Sequence, residues 1–227
     1  MKQKLLNYLC DPKTKKDLYL ENPVYGENGD IVSGVLKSAS GAKYPIINGI
    51  PRFVFDDSKK KTVDSFGKEW NYFNFDFSRL NWLAYTVKNT FGSTDVFKNK
   101  IIVDAGAGSG MQSVWMAEAG ADYVISLELS QAVDGIIKKN TEGIKNIDVV
   151  QCSVDAPPIK DGSIDGIVMC HNVIQHTPSV EGTAVALWRI VAPGGEFVFN
   201  CYGPNDEGLV RKLRFKLHLA VRAIFAK

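Results

Sequence analysis

Apolar and polar positions divide the chain into stretches of different character. From residue 100 onward, short runs rich in β-branched and aromatic residues alternate with stretches of mixed polarity. The runs predict strands near 101–105, 123–128, 147–151, 164–170 and 196–202. Between them, apolar residues at helical spacing predict helices near 110–119, 131–141 and 179–191. Strands that are apolar on both faces suit a buried parallel sheet, so the alternation predicts a doubly wound, mostly parallel α/β sheet with helices on both faces. Residues 1–56 read differently. DLYLENPVY, DIVSGVLKS and AKYPIINGIPRFV are short β-like segments, with turn signals at Asn28-Gly29 and Asn48-Gly49. They predict a small β-rich module, separated from the rest of the chain by the charged joint DSKKK at 57–61.

Two further stretches complete the division. Residues 57–99 form an aromatic-rich helical linker carrying Phe66, Trp70, Tyr72, Phe73, Phe75, Phe77, Trp82 and Tyr85. So many rings predict packing on the 100–203 domain, with a lid over a ligand, built from Phe66 and Trp70, as the alternative. In residues 204–227, Leu213, Leu217, Ala220 and Ile224 recur at helical spacing among Arg211, Lys212, Arg214, Lys216, Arg222 and Lys227. That is a basic amphipathic helix, docked on the sheet by its apolar face or, over 209–227, contacting a membrane surface or an anionic partner.

Composition narrows the classes. The formal net charge of +2 gives no reason to expect a nucleic-acid partner. Cys10, Cys152, Cys170 and Cys201 include no C-x-x-C pair, which points away from a disulfide framework and from an intact zinc site. No run approaches the roughly 20 apolar residues of a membrane span, and a cytoplasmic location is expected.

The chemistry concentrates at IIVDAGAGSG, residues 101–110. Gly106, Gly108 and Gly110 remove every second Cβ between a strand and a helix start, where free amide hydrogens and the positive helix end favour an anionic group. Asp104, two residues before the first glycine, marks the point where the strand leaves the core; it repels phosphate and attracts a cation. The G-x-G-x-G spacing also departs from the dinucleotide pattern G-x-G-x-x-G. A ligand bearing an ammonium beside a carboxylate fits such a turn; a packing turn without ligand is the other reading. Glu128, at the end of the second strand, is placed to accept ribose hydroxyls, or is a surface acid at a strand end. Asp155 follows the third strand, where a carboxylate can accept from an adenine amino group. Cys170, His171 and Asn172 end the fourth strand near the same ligand.

The ordered set DAGAGSG, LELS, QCSVDAPPIKDGSIDGIV, HNVIQHTP and VAPGGEFVF resembles class I S-adenosylmethionine-dependent methyltransferases over about residues 62–203. The resemblance implies a Rossmann-like fold and S-adenosyl-L-methionine as cofactor. Asp104, Gly106, Gly108 and Gly110 would meet its methionine part, Glu128 the ribose, and Val154 and Asp155 the adenine, with Ala105, Leu129, Ser153, Cys170 and His171 also among the cofactor-binding residues. LLNYLCDPKTKKDLYL and GVLKSASGAKYPIINGIPRFV resemble the zinc-ribbon-like domain of the tRNA-methyltransferase activator family. Cys10 keeps one ligand position, whereas Ser38 and Ser40 stand where a second pair would be, so a metal-free module is expected. Together with the FG-x-x-W segment, these features resemble bacterial methyltransferases of glycan and secondary-metabolite pathways.

The expected activity is methyl transfer to a small-molecule acceptor. His176 is the candidate base and His171 the second candidate; His176 packing at the start of the following helix is the alternative. Family relatives usually continue past the fifth strand whereas this sequence ends at Lys227, so the expectation is either a truncated form or a fifth-strand edge covered by the basic helix or by a second subunit in a homo-oligomer. A non-catalytic S-adenosylmethionine- or S-adenosylhomocysteine-binding regulatory or scaffold protein is the rival reading. A dehydrogenase-like dinucleotide binder is disfavoured by the glycine spacing and Asp104.

Overall fold

The computed structural model of the chain describes residues 1–54 and 78–201. The Phe66 and Trp70 lid and the basic helix of 204–227 lie outside the described residues. The first unit is an antiparallel sheet in the order β1 (Leu18–Tyr25), β2 (Ile31–Ser38), β3 (Lys43–Ile47), β4 (Ile50–Pro51). β3 shows the alternation behind the prediction: Tyr44 and Ile46 are buried, while Lys43, Pro45 and Ile47 are exposed. The β3–β4 hairpin turns on Asn48 and Gly49, both with positive φ (52° and 76°), as a two-residue hairpin with the right strand twist requires.

The second sheet has five strands, all parallel, in the order β7-β6-β5-β8-β9. β5 (Ile101–Ala105), β6 (Tyr123–Glu128) and β7 (Ile147–Gln151) match the predicted bounds, and β8 (Ile167–Cys170) and β9 (Glu196–Phe199) are shorter than expected. β8 starts late because the preceding residues turn away: Ile164 N–H donates to Ile190 O, and Gly166 lies hard against the Ile101 carbonyl. The pleat sorts this sheet's residues onto two faces. Ile102, Val124, Ile147, Ile167 and Met169 meet α2 (Met111–Glu118) through Val114, Trp115 and Met116. Val103, Ile125, Leu127, Val150 and Val168 face Leu187 and Ile190 at the end of α4 (Val180–Arg189).

The antiparallel unit lies on that second face. Leu5, Leu9, Tyr44 and Phe53 belong to the same buried cluster as Ile125, Leu127 and Val150, so the two sheets share one core. Backbone bonds join them as well: Arg52 forms a parallel bridge with Gln151, and Phe53 N–H donates to Gln151 O at 2.8 Å. The outer edge of β7 is therefore covered by the chain's own first unit.

Of the aromatic linker, a helical run α1 is described: Arg79–Asn81, a π-wound turn Trp82–Val87, and Lys88–Phe91. Trp82 is buried against Trp115 (ring centroids 5.4 Å) and stacks on Phe97 (5.8 Å), which is the packing role expected. Tyr85, by contrast, is exposed. The predicted helix 131–141 divides into a 3-10 turn Gln131–Asp134 and α3 (Ile136–Thr141), because Gly135 leaves the helical region at φ −110°, ψ −103°. No helix among the described residues is long and apolar enough to cross a membrane.

Candidate functional site

The glycine turn sits at the carboxyl end of β5, where the strand order reverses between β6 and β8. Gly106, Gly108 and Gly110 have φ of +87°, +57° and +78°, so the alternate glycines follow from backbone geometry that side chains rarely adopt. The last of them caps α2. Gly106 and Ala107 donate their N–H groups to Leu127 O at 2.8 and 2.9 Å, which fastens the turn to the end of β6.

Glu128 is buried at that end. One carboxylate oxygen accepts from Gly108 N–H at 2.9 Å and the other from Ser130 N–H at 2.8 Å. The acid therefore lies under the turn rather than in bulk solvent, and its carboxylate retains lone pairs for further donors. Leu129 is half-buried beside it, and its carbonyl accepts from Gln151 Nε2 at 3.2 Å.

Asp104 does not mark where the strand leaves the core, as its sequence context implies. It is the penultimate residue of β5 and is buried. Ser113 Oγ, one turn into α2, donates to Asp104 Oδ2 at 2.6 Å, and Ser126 Oγ donates to Ser113 Oγ at 2.7 Å. Burial holds the Asp104 carboxyl up at about 6; the Ser113 bond opposes that rise and the nearby Glu128 charge adds to it. Neither Ser113 nor Ser126 stands out in the sequence. The only signal for Ser113 is its position three residues after Gly110, on the turn of helix that looks back at the strand.

Ala105 is buried in β5, Val154 is buried, and Ser153 and Asp155 are half-buried just beyond β7. Cys152 N–H donates to Glu128 O at 3.1 Å, which brings this segment beside the acid. Across the turn, Cys170 is buried and its thiol is pushed up to about 12 by that burial. His171 is bridged by two elements: Thr86 Oγ1 lies 3.0 Å from Nε2 and Gln112 Nε2 lies 3.2 Å from Nδ1. Burial lowers its pKa to about 4, so the ring is neutral at physiological pH. A small cavity of about 110 Å³ adjoins it, lined by Thr86, Thr90, Met169, Val198 and Asn200 among others. His176 sits in the 3-10 turn Ile174–His176, half-buried, with Nε2 3.2 Å from Gln175 Nε2.

The loop after β8 also closes on the glycine turn. A Cβ built at Gly106 would lie 2.4 Å from Val173 Cγ2, so Val173 rests directly on that glycine. Thr86, Gln112 and Val173 carry no recognisable sequence signal, because their relation to the site depends on distant elements.

Residues 103–199 match the family model described as a methyltransferase domain. The ubiquinone biosynthesis O-methyltransferase of Erwinia tasmaniensis is 28% identical over 130 residues, covering 57% of this chain and 50% of that protein. Its namesake from Aromatoleum aromaticum is 29% identical over 107 residues, covering 47% and 45%. The chain thus spans about half the length of the curated relatives it matches. Among solved structures, the complex between the Haloferax volcanii Trm112 methyltransferase activator and a methyltransferase aligns with a TM-score of 0.50 at 21% identity, over 60% of this chain and 59% of the matched one. That likeness is one of fold. The parallel sheet with its glycine turn and flanking helices is the class I methyltransferase architecture.

Proposed function

We propose that the chain is an S-adenosylmethionine-dependent methyltransferase acting on an oxygen of a small molecule. One observation carries the reading: Glu128 is anchored by Gly108 N–H and Ser130 N–H directly beneath a turn whose three glycines all have positive φ. The cofactor, when bound, supplies a methyl group on a sulfonium centre. The donor set fits it. Each oxygen of Glu128 accepts one protein N–H and has capacity for one ribose hydroxyl. The glycine turn is assigned to the amino-acid part of the cofactor, with Asp104 supplying negative charge at the end of β5. Val154 and Asp155 are assigned to the adenine. The acceptor class rests on the relatives' names, which describe O-methyltransferases of ubiquinone biosynthesis.

His176 is assigned the proton-accepting role. A pKa near 4 makes His171 too weak a base to take a hydroxyl proton near neutral pH, and its ring is already engaged by Thr86 and Gln112. His171 instead fastens α1 to the end of β8. In this reading the antiparallel unit is a zinc-ribbon relative without its metal. Asp11 is buried and accepts from Ser40 Oγ, Lys13 N–H and Thr14 N–H, and Ser38 Oγ lies 3.0 Å from Ser40 Oγ. Hydrogen bonds thus hold together the segments that ligands would otherwise join.

The second reading is a non-catalytic binder of the same cofactor; Val173 rests on Gly106, and a ligand crossing that glycine has to displace it in either reading. Calorimetric titration with S-adenosylhomocysteine and with NAD tests the assignment. Binding of the first and not the second is expected; binding of NAD alone would sink both readings. Turnover with phenolic and aliphatic hydroxyl acceptors then separates enzyme from scaffold.

A further inference from the structure

We infer that Arg52, from the antiparallel unit, is a positioning residue for the cofactor site, acting through the Glu128 loop; the inference rests on the methyltransferase reading. Arg52 is buried. Its guanidinium reaches across to the second sheet, donating from Nη2 to Asp134 Oδ1 at 2.6 Å and from Nη1 to Asp134 Oδ2 at 3.2 Å. Nη1 also donates to Gln151 Oε1 at 3.0 Å. Two parallel bonds to one carboxylate match the planar fork of arginine and fix direction as well as distance.

These partners lead straight to the site. Gln151 Nε2 donates to Leu129 O at 3.2 Å, and Ser130 N–H and Gly108 N–H both end on Glu128. Asp134 closes the same loop from the other side, at the end of the 3-10 turn that Ser130 caps by accepting from Ala132 N–H. Residues 128–134 thus leave β6, pass beneath the glycine turn and are gripped at their far end by a residue from another sheet. The backbone supports the grip, since Phe53 N–H donates to Gln151 O and Arg52 bridges Gln151 in parallel register. Arg52 therefore sets where the Glu128 carboxylate stands relative to the glycine turn. A misplaced carboxylate loses hydroxyl contacts without any change in the residues that make them.

The test measures S-adenosylhomocysteine affinity by calorimetry and unfolding midpoints for the full chain and for Arg52→Lys, Asp134→Asn and the double variant. Arg52→Lys keeps the charge and most of the stem but loses the fork, and Asp134→Asn keeps shape on a half-exposed side chain, so both variants are expected to fold. Each single change is expected to weaken Kd about tenfold, and the double variant no further than the worse single, because the two residues act as one unit. Lowered midpoints with unchanged Kd would make the pair merely structural and overturn the inference, as would fully additive losses. If the unsubstituted chain does not bind S-adenosylhomocysteine, the methyltransferase reading and this inference fall together. Binding by the unsubstituted chain with unaffected variants overturns the inference alone.

Discussion

Gly106→Ala separates two demands that meet at one position. The first is conformational: φ is +87°, a region that costs an L-residue about 1–2 kcal/mol. The second is steric, because the new Cβ would stand 2.4 Å from Val173 Cγ2 and 2.6 Å from Cγ1. Carbon atoms prefer about 3.5–4.0 Å, and overpacking of this kind typically costs about 1–3 kcal/mol. Together the variant is expected to lose about 2–5 kcal/mol, a large part of a typical domain's stability.

A second substitution divides the loss. Adding Val173→Ala removes both Cγ atoms and leaves only the contact to Cβ at 3.0 Å, so Gly106→Ala in that background should cost about 1–2 kcal/mol for the backbone plus what remains of that one contact, less than in the parent. Urea denaturation with unchanged m-values reads both numbers. S-adenosylhomocysteine binding should stay impaired even in the double variant, because the alanine methyl remains on the turn itself. A Gly106→Ala midpoint within about 0.5 kcal/mol of the parent, or a Val173→Ala background that deepens the loss, would refute the geometry.

Three more outcomes are expected around the same site. The Asp104 carboxyl lies near 6 in the folded chain against an ordinary 3.8, so its stabilising contribution is fully present below about pH 4 and is lost as pH rises through 6. The change is about 3 kcal/mol, and Asp104→Asn should flatten that part of the stability–pH curve; an unchanged slope would discount the burial argument. His176→Ala should lower turnover at least ~100-fold, and more than His171→Ala does; the reverse order would transfer the base role to His171. Gly166→Ala would place a Cβ 1.9 Å from Ile101 O, where backbone cannot yield, and should cost more than about 4 kcal/mol; a melting temperature within a few degrees of the parent would contradict the β5–β8 packing.

What the sequence discloses tracks how local each cause is. β5, β6 and β7 are legible to the residue because each is a compact apolar run ended by a polar group or a glycine turn. The glycine turn is legible for the same reason, since the need for positive φ is written into the residue type. β8 reads too long because Ile164 is as apolar as Ile167, and only the bond to Ile190 O shows that the chain turns there. The 131–141 helix reads too long because one glycine in a helical pattern is ordinarily tolerated. Gly135 breaks the helix in a stretch where Asp134 is also engaged by a residue 82 positions away.

The same distinction explains the depth to which the site is readable. Asp104 and Glu128 are recognisable as acids at strand ends, but their physical states are not, because those depend on groups brought in by folding. Ser113 and Ser126 supply the hydroxyl chain that lets a buried carboxyl exist in β5. Glu128 owes its position to backbone amides of two separate loops and, through Gln151, to Arg52. A carboxylate whose two oxygens are held by amides from different loops can shift only if both loops shift. If Glu128 holds the ribose as proposed, that subsite is only as rigid as the contact between the two sheets, and the antiparallel unit is then a structural component of the site rather than an appendage to it.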